Sequence, residues 1–539
     1  MADNRFKRIL RAVLGTDSKP PKLKAFSGSY QNIFSVSYNG EKNLGEIGPI
    51  KDYYLDYEAL RMRSWQSYLE SEIAKTVLDK FTLWMVSSGL KLQANPMKVV
   101  LESEDIKLES TEAFNEVAEA RFTVWAKSSM SDYAGMSNLN LIAQEAFKNA
   151  KIGGDVLVII RYIKKQVKVQ IIDGSHLCSS SIYGTDGYAP TLQNGNTMRH
   201  GIEINAQGEH VAYHVRTKDY KTERIEARSK STGLRTAFLV YGNKYRIDNY
   251  RGIPLIAACM ETLKKLERYK EAAVGSAEER QKIVMQIVHQ NFSTGENPLL
   301  KQLAKAVDAD ADTDDLPVDI NGNQLADTVA ATTNKSTYNM PIGAELKSLE
   351  SKNEMFFKEF YGTNSDIICG AVGIPPNVAF SIYNDSFSAS RAATKDWEHT
   401  ITVNRENFAF QFYKPIYDFW LHIQILQNKL SAPGYLEAAA NQNDMVLEAY
   451  RNARFTGPMF PHIDPLKEVK AEREKLGSSG AHIPLTTVEQ ATEVLNGGDS
   501  DSNILQFAEE LKMTEQAGIK PAAPMQAEPP AKKKTEEEE

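Results

Sequence analysis

The stretch G-A-V-G-I-P-P-N-V-A-F (Gly370 to Phe380), followed by S-I-Y-N-D-S-F-S-A-S (Ser381 to Ser390), decides how this chain is read. Gly373, Pro375 and Pro376 punctuate its start, because proline lacks an N–H and restricts the residue before it. Ser381 to Ser390 is a small, polar run around Phe387 and predicts a loop. From Arg391 the apolar residues Trp397, Ile401, Phe408, Phe412, Ile416, Trp420 and Ile423 fall at helical spacing. Pro415 lies inside that pattern, and the apolar face resumes beyond it, so a kink is predicted rather than an end. The chain reads as a scaffold that presents a polar loop at the head of a long, aromatic-rich helix.

Working toward the N-terminus, Lys352 to Ala371 predicts a helix leading into the loop. Asn291 to Tyr338 has no periodicity and carries A-V-D-A-D-A-D-T-D-D-L-P-V-D-I-N-G-N. Its acidic run is similar to the opening of a calcium loop, but Thr313 stands at the sixth position in place of Gly and Asp319 at the twelfth in place of Glu. A solvated excursion is the better reading. Leu255 to Gln290 predicts a long helix introduced by R-G-I-P, with Gly252 and Pro254 at its start. Val167 to Tyr250 is β-patterned, including two strands around an N-A-Q-G turn. His210 and His214 share a strand face there about 13 Å apart, too far to share a metal. D-V-L-V-I-I-R-Y (Asp155 to Tyr162) is a buried strand. Helices are predicted from Ser64 to the S-S-G at Ser87 to Gly89, from Ser110 to Trp125, and from Leu139 to Ala150. L-K-L-Q (Leu90 to Gln93) is strand-like, and Gly15 to Gly48 reads as an extended arm.

Toward the C-terminus, Pro433 to Tyr450 predicts a short helical insert. Three further helices follow, within H-I-D-P-L-K-E-V-K-A-E-R-E-K-L-G, I-P-L-T-T-V-E-Q-A and N-I-L-Q-F-A-E-E-L. From Gly518 the tail is too polar to bury a core, and disorder is expected.

Bulk properties narrow the function. The chain has 539 residues, 42% hydrophobic and 25% charged, with a net charge of −7. That length suits three or four domains of roughly 100–200 residues each. The acidic balance argues against a protein that grips nucleic acid through excess Lys and Arg. Cys178, Cys259 and Cys369 are widely spaced and form no ligand-like pair, so buried free thiols in a reducing compartment are expected. The basic N-terminal segment lacks the apolar core of a signal peptide, and no window approaches a membrane span, so an intracellular, soluble protein is expected. No phosphate-cradling glycine loop, nucleophile elbow or dinucleotide fingerprint is present. The carboxylates from Asp308 to Asp315 sit in the least regular segment, whereas a two-metal nuclease needs them on rigid elements. No catalytic activity, cofactor or metal is expected.

Five short segments together resemble the lambda-type portal proteins of tailed bacteriophages, in the family's order. They are M-V-S-S-G-L-K-L-Q (Met85 to Gln93), G-I-E-I-N-A-Q-G-E-H-V-A-Y-H-V (Gly201 to Val215) and R-G-I-P-L-I-A (Arg251 to Ala257). The fourth runs from A-V-G-I-P through S-A-S-R-A-A to Trp397, with P-I-Y-D-F-W-L beyond, and the last is H-I-D-P-L-K-E-V-K-A (His462 to Ala471). The chain departs from the family in S-F-S-A-S-R-A-A, where a Tyr-Ser-Ser-Ala-Arg run is common, and over Asn291 to Tyr338.

The resemblance implies an α+β portal fold that assembles into a ring, usually of twelve copies, at one capsid vertex of the virion, built in the host bacterial cytoplasm. Residues 1–60 would form an N-terminal arm and 61–250 a mixed wing. A stem helix (251–290), a clip (291–345) and a second stem helix (346–380) would follow. Residues 381–390 would be the tunnel loop, 391–460 the long kinked wing helix and insert, 461–517 the crown helices, and 518–539 a disordered tail. Double-stranded DNA would pass through the axis, driven in by a terminase ATPase and later ejected. Capsid or scaffold protein and head-completion or tail adaptor proteins would be further partners, with no membrane contact. Asn384, Ser386 and Ser388 would face the DNA, with Lys395 one turn inside the helix offering a single screened phosphate contact. Phe387 would pack back on its own helix or a neighbouring loop.

The residues agree with this. A ring repeats one heterologous interface to closure and uses long elements packed side by side. A channel for moving DNA must avoid strong phosphate contacts, which a ring would multiply. The alternative is another virion structural protein, minor head or scaffold-like, without a channel. A scaffold would be more helical, with heptads and no long β section.

Overall fold

Ser71 divides what the periodicity reads as one helix. Helix α1 (Tyr57–Glu70) ends there, and the Ser71 hydroxyl accepts the Ala74 N–H to cap α2 (Glu72–Val86). The computed structural model describes residues 35–38, 41–44, 57–108, 110–178, 192, 194–217, 219, 221–247, 249–282, 286–289, 344–347, 357–382, 387–458, 465–477, 484–496, 498 and 500–518. They belong to two units, Met1–Glu261 with Cys369–Glu539, and Thr262–Ile368. The excursion from Asn291 to Tyr338, with its acidic run, and the tail beyond Gly518 lie outside the described residues.

In the larger unit, β1 (Ser35–Tyr38) and β2 (Glu41–Leu44) form an antiparallel hairpin ahead of α1. Helix α1 begins inside the segment read as arm. Helix α2 buries Ile73, Val77, Phe81 and Met85, one apolar stripe at helical spacing. It ends at Ser87 and Gly89, both at positive φ. Strand β3 (Lys91–Ala94) and α3 (Lys98–Ser103) lead to α4 (Thr111–Lys127), whose Ser110 cap stands where the sequence places it. Asn138 caps α5 (Leu139–Gly153), which is followed by β4 (Asp155–Ile163) and β5 (Gln166–Asp173).

Strand β4 is buried from Asp155 to Ile160 because it lies between β5 and a later strand, under α5. Strands β6 (Thr197–Arg199), β7 (Ile202–Ile204), β8 (His210–Arg216) and β9 (Thr222–Glu226) form an antiparallel sheet in sequence order. Strand β10 (Ala237–Tyr241) completes the order β10-β4-β5. Leu157 and Ile159 of β4 share one apolar core with Ile202, Tyr213, Val215 and Leu239, which joins the two sheets. The architecture is mixed helix and antiparallel sheet.

The smaller unit takes most of α6 (Met260–Lys282) and of α7 (Phe357–Val372). Tyr269 of α6 stacks on Phe357 of α7, ring centres 5.5 Å apart, and meets Phe360 at 4.6 Å. The helix expected from Leu255 to Gln290 is therefore shorter at both ends. R-G-I-P-L-I-A is irregular, with Ile253 and Ile256 buried, and Gln286–His289 is a strand, β11, paired with β12 (Ala344–Lys347). The β-branched Ile287 and Val288 favour that strand over a helix end. The expected helix over 346–380 is likewise divided, because Gly373 turns at φ +83° before α8 (Pro376–Phe380).

Helix α9 (Phe387–Phe408) begins four residues before the expected Arg391. S-A-S-R-A-A contains no Gly or Pro, and its alanines are strong helix formers, so the helix takes up Phe387 to Ser390. At Ala409–Tyr413 the backbone becomes a π turn, in which the Lys414 N–H donates to the Ala409 carbonyl, and α10 (Lys414–Leu426) continues. The irregularity expected at Pro415 thus takes the form of a π turn just ahead of the proline. Phe122 of α4 meets Trp420 of α10 edge-on at 5.2 Å, which packs the aromatic helix into the core.

The insert after Lys429 is two helices, α11 (Tyr435–Asn441) and α12 (Asp444–Arg451), followed by β13 (Ala453–Thr456). Strand β13 pairs antiparallel with β3 in a two-stranded sheet. Helices α13 (Pro465–Lys475), α14 (Val488–Asn496) and α15 (Ser500–Gln516) end the described chain.

Candidate functional site

The candidate site is the start of α9, and its support runs through one face of that helix. Trp397 is buried and meets Phe81 of α2 edge-on at 5.4 Å. Ile401 is fully buried one turn on, and Phe408 packs edge-on to Phe147 of α5 at 5.1 Å. Arg405 shares this face. Its Nε donates to the Met85 carbonyl at 3.1 Å and its Nη2 to the Trp84 carbonyl at 2.8 Å. These are last-turn carbonyls of α2, which lack helical partners, so a cation from α9 satisfies them. Burial lowers the Arg405 pKa, with Glu398 opposing.

Ahead of α9, Val378 and Ala379 of α8 are buried, and Ser381 closes that helix in the left-handed region at φ 56°. Lys80 of α2 donates to the Ser381 hydroxyl at 2.9 Å. The first turns of α9 are tied elsewhere too, since Arg391 pairs with Glu468 of α13 at 3.5 Å.

Of the residues expected to face DNA, Asn384 and Ser386 lie outside the described residues. Ser388 lies in the first turn of α9 and not in a loop, and Phe387 is the first residue of that helix. Lys395 is exposed on α9, with its Nζ 2.7 Å from Glu398 Oε2. The neighbouring carboxylate offsets much of the charge it would offer a phosphate.

Sequence reasoning misses the charged centre of the larger unit. Asp155, at the head of β4, has no exposed surface. Arg251, from R-G-I-P, reaches both its oxygens at 2.6 and 2.7 Å, and the Gly252 N–H adds a third bond at 2.9 Å. Arg61 of α1 joins at 2.5 Å and also donates to the Gly153 carbonyl at 2.9 Å. Burial pushes the Asp155 carboxyl up, but Arg251 and Arg61 overcome it and hold the group well below the usual carboxylate range. A Cβ on Gly252 would collide with the Gly154 carbonyl, which explains the glycine in the motif. The signal available in the sequence is an Asp at the head of an otherwise apolar strand.

His210 contacts the Tyr213 hydroxyl at 3.1 Å, and His214 lies 3.5 Å from Glu203. Among the described residues no group of three or more His, Cys, Asp and Glu side chains could hold a metal ion. No disulfide joins the three cysteines; Cys259 and Cys369 are buried and Cys178 is partly so. Among the described residues no helix is long and apolar enough to cross a membrane.

The chain is thus a mixed α and antiparallel β structure with a long aromatic helix packed into its core. The sequence profile of phage portal proteins of the lambda family matches residues 43–405, well over half of the chain. The chain belongs to this family. No curated protein matches it. Among solved structures, it is similar to a chain in the neck of an empty GTA particle computed with C6 symmetry, at TM-score 0.40 and 11% identity, covering 84% of this chain and 96% of that one. A chain in the virion of a native gene transfer agent (GTA) particle matches at TM-score 0.36 and 12% identity, over 82% and 93%. One in the neck of the native GTA particle computed with C12 symmetry matches at 0.33 and 11%, over 70% and 89%. All three likenesses are distant.

Proposed function

We propose that this portal protein closes into a ring, most simply of twelve copies, at one capsid vertex, and that viral DNA enters and leaves through its axis. Family membership over residues 43–405 carries the reading. The start of α9 supports a channel role. The basic side chains in its first turns, Arg391 and Lys395, are both paired with carboxylates, and Lys80 of α2 is engaged by the Ser381 hydroxyl. A segment with engaged cations and small hydroxyl side chains exchanges weak contacts with passing phosphates and does not trap them. The segment 381–390, with Asn384, Ser386 and Ser388, is then the constriction.

In the same reading residues 61–250 and 391–460 form the wing, 251–290 and 346–380 the stem, 291–345 the clip, and 461–517 the crown. The arm over 1–60 braces a neighbour. A terminase ATPase drives packaging from the clip end, where head-completion or tail proteins later bind, and capsid or scaffold protein surrounds the ring. The chain itself carries out no catalysis. Negative-stain imaging with native mass spectrometry tests the core of this reading. Rings with a central hole are expected; monomers and dimers alone, across salt and pH at micromolar concentration, would overturn it.

A further inference from the structure

Among the described residues strand β13 has one strand neighbour, β3, and its other edge is open. The ladder shows which groups face outward. The Asn95 N–H donates to the Asn452 carbonyl at 3.0 Å, whereas the Ala94 N–H turns away to Glu119 Oε1 at 2.7 Å. Opposed residues of an antiparallel pair alternate between exchanging both main-chain bonds and exchanging none. Ala453, opposite Ala94, and Phe455, opposite Leu92, therefore point their N–H and C=O groups away from β3. These groups have no partner among the described residues. They open onto a groove of about 370 Å³, whose opposite wall is Thr402, Glu406 and Phe410 of α9 and the π turn. Phe410 is 67% exposed there, a large apolar surface beside unpaired main chain.

We propose that this edge is an intersubunit site that accepts strand β1 of a second copy of the chain. Strand β1 is four residues long, like β13, and among the described residues it is bonded on one side only, to β2. In the sequence of β1, Val36 and Tyr38 alternate with Ser35 and Ser37, the pattern of a strand with one apolar face, which suits the apolar Phe410 and Phe455. Main-chain bonds to an open edge supply affinity, and the alternating side chains select the register. Twelve residues, 45–56, separate the hairpin from α1 in the sequence, and a chain of that length reaches at most about 40 Å. Donor strand and acceptor groove are different surfaces of one chain, which is the head-to-tail contact that a ring repeats. The inference rests on the ring reading above and names the contact that helps close it.

Co-expression of Ser37→Cys and Arg454→Cys chains, treated with a short bis-maleimide, tests it, with the parent chain as the background for Cys178. Cross-linked dimers are expected from the mixture and not from either variant alone. Adding Ala453→Pro to the Arg454→Cys chain should abolish them. It removes one outward N–H and leaves the β3 ladder intact, and Asn452, at φ −62° and ψ 124°, already suits the residue before a proline. Rings by native mass spectrometry with no cross-link in the mixture overturn this inference and leave the ring reading standing. Cross-linking of the Ser37→Cys/Arg454→Cys double variant as a monomer overturns it also, in favour of the chain's own arm. Absence of both oligomers and cross-links overturns the two readings together.

Discussion

Arg251 holds both carboxylate oxygens of Asp155 across 96 residues of chain, at 2.6 and 2.7 Å, in a site with no exposed carboxylate surface. The pair fixes the irregular R-G-I-P segment onto the head of β4 just before α6 begins. Removing one partner of a buried, hydrogen-bonded pair leaves the other uncompensated. Asp155→Asn, which strands the Arg251 and Arg61 guanidiniums, should cost about 3–5 kcal/mol of subunit stability, read from urea unfolding. Arg251→Lys loses the two-pronged geometry and should also destabilise, though less, since a charge remains.

Arg405 predicts a second, non-additive pair. Arg405→Ala leaves the Trp84 and Met85 carbonyls without their donor and should cost about 1–3 kcal/mol. A Cβ at Gly457 would sit 2.8 Å from Arg405 Cζ. Gly457→Ala should therefore displace the same guanidinium, and the double variant should lose much less than the sum of the single losses.

Two carboxyls predict opposite acid responses. Burial raises Glu203, but hydrogen bonds from Arg224, Asn196 and Asn194 overcome it and bring it down to about 2. Its stabilisation is complete above the ordinary pKa of 4.5 and is lost as pH falls through about 2. Burial pushes Asp418 up to about 6, despite Lys414 at 2.6 Å. Its ionisation opposes folding above pH 6, and that cost is relieved as pH falls from 6 toward 3.8. Asp418→Asn should flatten the rise of stability between pH 7 and 4 in urea titrations. Glu203→Gln should flatten the fall below 4.5.

The channel reading predicts a packaging phenotype without an assembly phenotype. Ser386→Lys with Ser388→Lys should leave rings intact and slow DNA packaging, most severely at low salt, because unpaired cations gain phosphate affinity as counterions thin out. Lys395→Ala should change the rate little, since Glu398 already holds that charge. Normal packaging by the double lysine variant at low salt would place the constriction elsewhere.

Local periodicity and residue type carried much of this protein. The helix starts at Ser110 and Leu139, the buried run of β4 and the apolar stripe from Trp397 to Ile423 are legible because each depends on residue type or on a helical or strand period along the chain. The order of five family segments is likewise a property of the linear chain. Other features depend on the fold. Nothing near Leu92 announces Phe455 as its partner in the sheet, nor does Glu72 to Val86 show that Arg405 will cap its carbonyls. The carboxylate of Asp155 is tolerable only where Arg61 and Arg251 converge on it, and the π turn ahead of Pro415 forms where packed helix continues on both sides. Such contacts join residues far apart in the chain, 94 positions for Arg61 with Asp155 and 321 for Arg405 with Trp84, and their energy comes from burial and charge complementarity that exist only once the chain has packed.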